Sequence, residues 1–141
     1  MSLFNVFNVA GTALNAETIR LNTTASNLAN AESESGDPAT VYRAREPVFK
    51  TMMDAAGSES NSARAVAGVR VVGIVESQAP VTMRYQPDSP LANKQGYVYM
   101  SNVNPIEEMA NMISANRSFA TNVDAINTAK DLLLKTIAMG H

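Results

Sequence analysis

The 141-residue sequence contains no cysteine and no tryptophan, and its single histidine, His141, is the last residue. The missing cysteine excludes disulfide bridges, thiolate nucleophiles and thiolate metal ligands. Catalytic triads and zinc sites need side chains held in a fixed geometry, and no following chain holds His141 in place. We therefore expect His141 to be neither a catalytic base nor a metal ligand.

Excess charge of one sign is also missing. The 11 Lys and Arg residues nearly balance the 13 Asp and Glu residues, and the basic residues are scattered. Without a basic patch or many aromatic residues, we predict no nucleic-acid binding. No apolar run approaches the roughly 18 residues of a membrane span. The first basic residue is Arg20, so we expect no cleaved signal peptide.

Motifs of known active sites are absent as well. The sequence has no Gly-x-Gly-x-x-Gly or Walker-type loop and no Asp-rich calcium loop. The pair Glu107 and Glu108 fits the start of a helix, where negative charge is favoured. Asp124 and Asp131 are one heptad apart, on a line that we expect to face solvent. We predict a protein that is not an enzyme and needs no cofactor, metal or small-molecule substrate; a small hydrolase using acidic residues is the enzymatic alternative.

What the sequence does contain is a seven-residue apolar repeat at each end. Near the amino terminus this repeat predicts one amphipathic helix over residues 3–30. Its apolar positions are Leu3, Phe7, Ala10, Leu14, Leu21 and Leu28. Asn27 and Asn30 favour the end of this helix, because Asn tolerates the left-handed backbone that ends helices.

The carboxy-terminal helix is predicted to begin with Asn104 as N-cap and Pro105 at the first helical position, and to stop at Gly140. Two heptad registers fit it. One contains Met109, Met112, Phe119, Val123, Ile126, Leu133 and Ile137. The other contains Ile106, Met109, Ile113, Ala120, Val123, Leu134 and Ile137. So wide an apolar stripe needs neighbours on more than one side.

Between the helices, β-branched and alternating residues predict short strands at 69–75, 81–85 and 97–100, with a weaker one at 48–49. Residues 32–38 predict a loop, and residues 54–65 an exposed, mobile loop. We predict an α+β fold in three parts: residues 1–31, a small β-rich middle domain at 32–103, and residues 104–141. The first and last parts are expected to pair as a coiled coil, and their uncovered apolar surface predicts self-association or a partner.

Two motifs carry a family resemblance. Residues 25–31, Ala-Ser-Asn-Leu-Ala-Asn-Ala, resemble the Ala-Ser-Asn-Leu-Ala-Asn signature of bacterial flagellar rod and hook proteins. Residues 96–109, Gly-Tyr-Val-Tyr-Met-Ser-Asn-Val-Asn-Pro-Ile-Glu-Glu-Met, are similar to the carboxy-terminal signature of that family, and residues 112–119 and 127–136 extend the match. The short length and the segment Glu-Ser-Gln-Ala-Pro at 76–80 most resemble the proximal rod subunits.

This resemblance implies a structural subunit of the flagellar proximal rod, a drive shaft that polymerises through its terminal helices and transmits torque across the periplasm. It implies a place in the basal body and export through the flagellar type III apparatus without a cleaved signal peptide. The implied partners are further copies of the chain, other rod proteins of the FlgB, FlgF and FlgG types, the adaptor between rod and MS ring, and the export gate. The expected assembly interface is Asn27 and Asn30 with the repeat residues of both helices except Ala10 and Ala120. The alternative is another type III-secreted assembly subunit, of the needle or translocator type.

Overall fold

Two long helices enclose a β-rich middle in the computed structural model, which describes residues 3–54 and 66–139 and the side chains of residues 5–52 and 68–139. The elements are α1 (Leu3–Ala29), β1 (Glu34–Ser35), β2 (Arg45–Asp54), β3 (Val66–Glu76), β4 (Thr82–Tyr85), β5 (Tyr97–Met100) and α2 (Pro105–Met139). The predicted α+β class, with a helix at each end, is confirmed. Neither described helix has an apolar stretch long enough to cross a membrane.

Helix α1 ends, and helix α2 begins, close to where the sequence predicts. After Ala29, the backbone N–H and the side-chain amide of Asn30 both donate to the carbonyl of Ser26, at 3.2 and 2.8 Å, and satisfy a carbonyl left free by the helix end. At the start of α2, the N–H of Ile106 donates to Oδ1 of Asn104 at 3.1 Å, so Asn104 is the N-cap. The predicted stop at Gly140 lies outside the described residues.

Strands β2 and β3 form a long antiparallel hairpin, from the pair Arg45 and Glu76 to the pair Asp54 and Val66. A bulge at Val48/Phe49 shifts the register. The sequence predicted only a short strand at 48–49, because Glu46, Pro47, Lys50 and Thr51 interrupt any apolar alternation. Of the predicted loop 54–65, Asp54 belongs to β2, and residues 55–65 lie outside the described residues.

The second sheet has the order β1-β5-β4, and both pairings are antiparallel. The central strand β5 occupies the predicted residues 97–100, and its Val98 is fully buried. In the connection from β4 to β5, Gly96 adopts a φ of +79°, and a Cβ there would lie 2.9 Å from the Tyr85 ring. Glycine is the residue that adopts this backbone without strain.

Two predictions about this sheet were wrong. Residues 32–38 are not all loop, since Glu34 and Ser35 form β1 by pairing with β5. A two-residue strand made by such distant pairing leaves no local pattern in the sequence. The alternation of Val81, Met83 and Tyr85 with polar residues predicts a half-buried strand, but all four residues of β4 are exposed, because β4 is an edge strand whose Met83 and Tyr85 lie open.

Helix α1 lies between α2 and the β2–β3 hairpin and contacts both. Along its predicted heptad, Ala10 and Thr24 are buried and Phe7, Leu14 and Leu21 are partly buried. A different side of α1 meets the hairpin. There the hydroxyl of Thr12 accepts a hydrogen bond from the backbone N–H of Val69 at 3.2 Å, beside Gly68. The hairpin thus covers a second side of α1.

Among the described residues, helix α2 is covered on one side only. Its residues at alternating spacings of four and three are buried or partly buried, and we call them the paired stripe: Glu108, Met112, Ala115, Phe119, Asn122, Ile126, Ala129 and Leu133. A second heptad line keeps exposed apolar residues, and we call these the open stripe: Ile106, Met109, Ile113, Ala120, Leu134 and Ile137. Val123 belongs to the same register as the open stripe and is partly buried.

The first predicted register is therefore divided between the two stripes of α2, and the second follows the open stripe. Met112, Phe119, Ile126 and Leu133 belong to the paired stripe, whereas Met109 and Ile137, which both registers included, are exposed. The sequence did not single out Glu108, Ala115, Asn122 and Ala129 as buried. Small and polar residues add little to an apolar pattern, although a small residue lets two helices approach closely.

Ala115 offers a direct test of this packing. Its side chain is fully buried, at 0% exposure. We expect Ala115→Leu to destabilise the isolated chain by about 1–3 kcal/mol, because the added atoms have no free space. Urea unfolding of the purified chain measures the change. Ala125→Leu, at an exposed position of the same helix, should change stability by less than about 0.5 kcal/mol, and an equal effect of the two variants would contradict the assigned paired stripe.

Candidate assembly site at the helix junction

Asn27, in the last turn of α1, is 1% exposed and uses its whole amide in hydrogen bonds. Its Oδ1 accepts from the backbone N–H of Arg45, and its Nδ2 donates to the carbonyl of the same residue, at 2.9 and 2.8 Å. The amide thus pairs with the first residue of β2 as a neighbouring strand would. This pairing fixes the start of the hairpin on the end of α1.

Tyr42 supports the amide from a second direction. Its hydroxyl donates to Oδ1 of Asn27 at 2.9 Å and lies 3.1 Å from the hydroxyl of Ser26. The Arg45 guanidinium lies 5.4 Å from the centre of the Tyr42 ring, in a cation–π contact. Tyr42 also packs against the small buried cluster of Ala31, Ala44 and Val103. The segment that enters β2 is therefore held by both polar and apolar contacts.

Glu108, in the first turn of α2, completes the junction. It is 8% exposed, and its Oε1 accepts from Nδ2 of Asn27 at 3.1 Å. Because Asn27 ends α1 and Glu108 begins α2, the two contacting helices run in opposite directions. One side-chain amide thereby joins α1, β2 and α2, and all four of its hydrogen-bonding positions are filled.

The environment of Glu108 disfavours its charge. Burial raises the pKa of Glu108 above its usual value, and the nearby carboxylates of Glu107 and Glu46 raise it further. Hydrogen bonds from Asn27 and Thr24 lower the same pKa and offset part of this effect. The net rise means that the junction contains a partly compensated buried carboxylate, whose charge costs stability at neutral pH.

A groove of about 590 Å³ opens beside this junction, between α1, β2 and α2. Its charged lining residues are Arg20, Arg45, Glu46, Glu107 and Glu108. Within the part of the chain that the structure describes, no group of three or more His, Cys, Asp or Glu residues is arranged to hold a metal ion. The arrangement is suited to joining structural elements.

The predicted site residues whose side chains are described fall into three places. Asn27 lies in the junction, and Asn30 caps α1 close by. The apolar repeat residues divide between the contact of α1 with α2 and the open stripe, and the side chain of Leu3 lies outside the described residues. Sequence reasoning did not identify Glu108, Tyr42 or Arg45 as members of the site. The family motifs could have pointed to the pair, since Asn27 lies in the motif at 25–31 and Glu108 in the motif at 96–109.

Comparisons with known proteins match the same regions. Residues 7–32 match the family model described as flagella basal body rod protein, and residues 94–139 match that described as flagellar basal body rod FlgEFG protein C-terminal. Both partners of the hydrogen bond between Asn27 and Glu108 lie within these segments. The two motifs that suggest the family are thus in direct contact in the fold.

The chain is also similar over its whole length to curated relatives named flagellar basal-body rod protein FlgC. It is 46% identical to those of Salmonella typhimurium and Escherichia coli, and 45% identical to that of Yersinia enterocolitica. In each case 141 residues align, covering 100% of both chains. The resemblance predicted from the two motifs, including its closer likeness to the proximal rod subunits, is confirmed.

The first test of the junction removes the amide. We expect Asn27→Ala to destabilise the isolated chain by about 2–4 kcal/mol, because it leaves partly buried backbone groups of Arg45 and the buried Glu108 carboxylate without their partner. Urea unfolding measures this loss. Asn22→Ala, at an exposed position of α1, is the matched control. Equal stabilities of the two variants would contradict the role given to Asn27.

The second test uses pH. The folded pKa of Glu108 is raised, so the cost of its charge is fully present above that pKa. This cost disappears as the pH falls toward the pKa of Glu108 in the unfolded chain, because Glu108 takes up its proton at a higher pH in the folded chain than in the unfolded one. Glu108→Gln keeps an oxygen acceptor for Asn27 without the charge. We expect it to stabilise the chain near neutral pH, with a gain that vanishes toward about pH 4.

Urea unfolding across this pH range, with Glu32→Gln as control at an exposed position, measures the gain. A gain that grows as the pH falls would show that the sign assigned to Glu108 is wrong.

Proposed function

The chain belongs to the FlgC family of flagellar basal-body rod proteins, and on this premise we propose that it is a structural subunit of the proximal rod. In this proposal the chain polymerises through its terminal helices and transmits torque across the periplasm. The role is structural and not enzymatic, which family membership supports. The observation that carries the proposal is the open stripe of α2, because no element of the described chain covers it.

The open stripe is too regular to be an ordinary scatter of exposed apolar residues. Ile106 is 76% exposed and Ile113 is 56% exposed, in the first turns of α2, and Leu134 and Ile137 continue the same register near its other end. These side chains lie along one side of a helix about 50 Å long, and Asn116, Asn127 and Lys130 lie on the same line between them. Apolar side chains aligned in this way and left uncovered are typical of a surface that other subunits cover.

We also propose how the chain is divided. Residues 1–31 and 104–141 form a helical part in which α1 and α2 pair as a coiled coil, and residues 32–103 form the β-rich middle. The heptad spacing of the paired stripe, and that of Phe7, Leu14 and Leu21 on α1, support this pairing. The junction at Asn27 and Glu108 holds the two parts together.

Partners and location follow from the same premise. The proposed partners are further copies of the chain, neighbouring rod proteins of the FlgB, FlgF and FlgG types, the adaptor to the MS ring and the export gate. The proposed location is the basal body, with the rod crossing the periplasm after type III export without a cleaved signal peptide. The comparisons give no support to a needle or translocator subunit.

The open stripe provides the test. Ile113→Asp changes a residue that is exposed in the isolated chain, so we expect its stability to change by less than about 1 kcal/mol. In the assembled rod the same carboxylate would lie unpaired in an apolar contact, which costs several kcal/mol in every copy. We therefore expect loss of motility and of isolated rods in a flagellated bacterium that lacks its own homologous protein. Immunoblots confirm expression.

The matched control is Ala125→Asp, which introduces the same charge at an exposed position outside both stripes. It should support normal motility. Normal rods built from the Ile113→Asp variant would rule out the open stripe as an assembly surface.

A further inference from the structure

The three-stranded sheet is attached to the rest of the described chain through its connecting segments. Among the elements that the structure describes, no strand of this sheet contacts a helix or the β2–β3 hairpin. The hairpin, by contrast, is held on α1 at its base by Asn27 and farther along by Thr12. We call α1, α2 and the hairpin the helix body. The position of the sheet relative to the helix body must therefore be set by the segments that join them.

Two of these segments run side by side. One leads from α1 to β1 and the other from β5 to α2, and the N–H of Ser101 in the second donates to the carbonyl of Ser33 in the first at 3.2 Å. Paired segments of a few residues can act as a hinge, because small changes in their backbone angles rotate the elements that they connect. The segment from β3 to β4 restrains such a rotation if it is fixed to one of the pair.

Asn102, between β5 and α2, fixes that segment. Its Oδ1 accepts from the N–H of Ala44 at 2.8 Å, and its Nδ2 donates to the carbonyl of Ala79 at 2.9 Å and lies 3.5 Å from that of Ser77. The N–H of Ser77 donates to the carbonyl of Ala44 at 2.7 Å, so the ladder of the hairpin continues one pair beyond its base. The amide of Asn102 takes the place of the second hydrogen bond that such an antiparallel pair would form.

Arg43 binds the same segment. Its Nη1 donates to the carbonyls of Ser77 and Ala79, at 3.3 and 3.1 Å. A charged donor makes a stronger hydrogen bond than a neutral one, and the ion pairs of the described residues do not include Arg43. These contacts give a physical role to the segment Glu-Ser-Gln-Ala-Pro at 76–80, which contributed to the family resemblance. Two of its carbonyls are the acceptors for Asn102 and Arg43.

We propose that Asn102 and Arg43 are positioning residues, which lock the three-stranded sheet to the helix body through the carbonyls of residues 76–80. Asn27 fixes the hairpin on the helices, and this lock fixes the sheet on the base of the hairpin. Without the lock, the sheet rotates about the two paired segments while the helix body keeps its shape. The inference concerns the isolated chain, so it stands apart from the proposed function in the rod.

Distances between spin labels test the lock, because the chain has no cysteine of its own. Labels at Met83→Cys and Ala125→Cys join the sheet to α2, and labels at Val72→Cys and Ala125→Cys join the hairpin to α2; all three positions are exposed. In the purified chain, we expect Asn102→Ala to widen the first distance distribution about twofold and to leave the second unchanged. A residue that only stabilises the fold would lower the unfolding midpoint and change neither distribution in the folded chain.

Arg43→Gln is a milder variant, since it removes the charge at a partly buried position and leaves the hydrogen bonds of Asn102 in place. We expect it to widen the sheet-to-α2 distribution as well, and its result decides if Asn102→Ala does not fold. Lys94→Gln, at an exposed position between β4 and β5, is the matched control and should leave both distributions unchanged.

Two results would overturn the lock. One is a sheet-to-α2 distribution that neither Asn102→Ala nor Arg43→Gln widens. The other is equal widening for both label pairs, because it would place the movement within the helix body.

Discussion

The side-chain amide of Asn27 lies where α1, β2 and α2 meet, and it is hydrogen-bonded to both of the other elements. Its bonds to the backbone of Arg45 direct the hairpin along α1, and its bond to Glu108 sets the end of α1 against the start of α2. A buried amide of this kind tolerates little displacement, because every lost hydrogen bond leaves an unsatisfied group. The same contact therefore fixes both the helix pair and the position of the hairpin on it.

This arrangement divides the apolar surface unequally. Helix α1 is covered on one side by α2 and on another by the hairpin, whereas α2 keeps its open stripe exposed. The exposed apolar residues of the hairpin lie in the other long element that projects from the junction. The fold therefore leaves apolar surface uncovered on both long elements. The fold thus uses one stripe of α2, and the proposed assembly uses the other.

The sequence predicted the two helices well because they carry their own signals: heptad spacing along α1, and Asn104 with Pro105 at the start of α2. It predicted two registers for α2 but not which of them faces α1. Met112 and Ile113 are both apolar, and only the position of α1 decides which of the two is covered. The length of β2 and the existence of β1 depend on pairing between distant residues, so local patterns did not show them. Glu108 was interpreted only through the helix dipole, and its second role needed the position of Asn27.

In the fold, the two family motifs form one contact. Asn27 comes from the motif at the end of α1 and Glu108 from that at the start of α2, and they are 81 positions apart in sequence. Burial of the Glu108 carboxylate costs stability, and it is accepted where the carboxylate fixes the relative position of two helices. A rod subunit that assembles through the proposed open stripe must present it at a constant angle, because small errors would accumulate over many copies. A polar contact that is costly when misaligned provides that constancy better than an apolar contact, which tolerates sliding along a heptad.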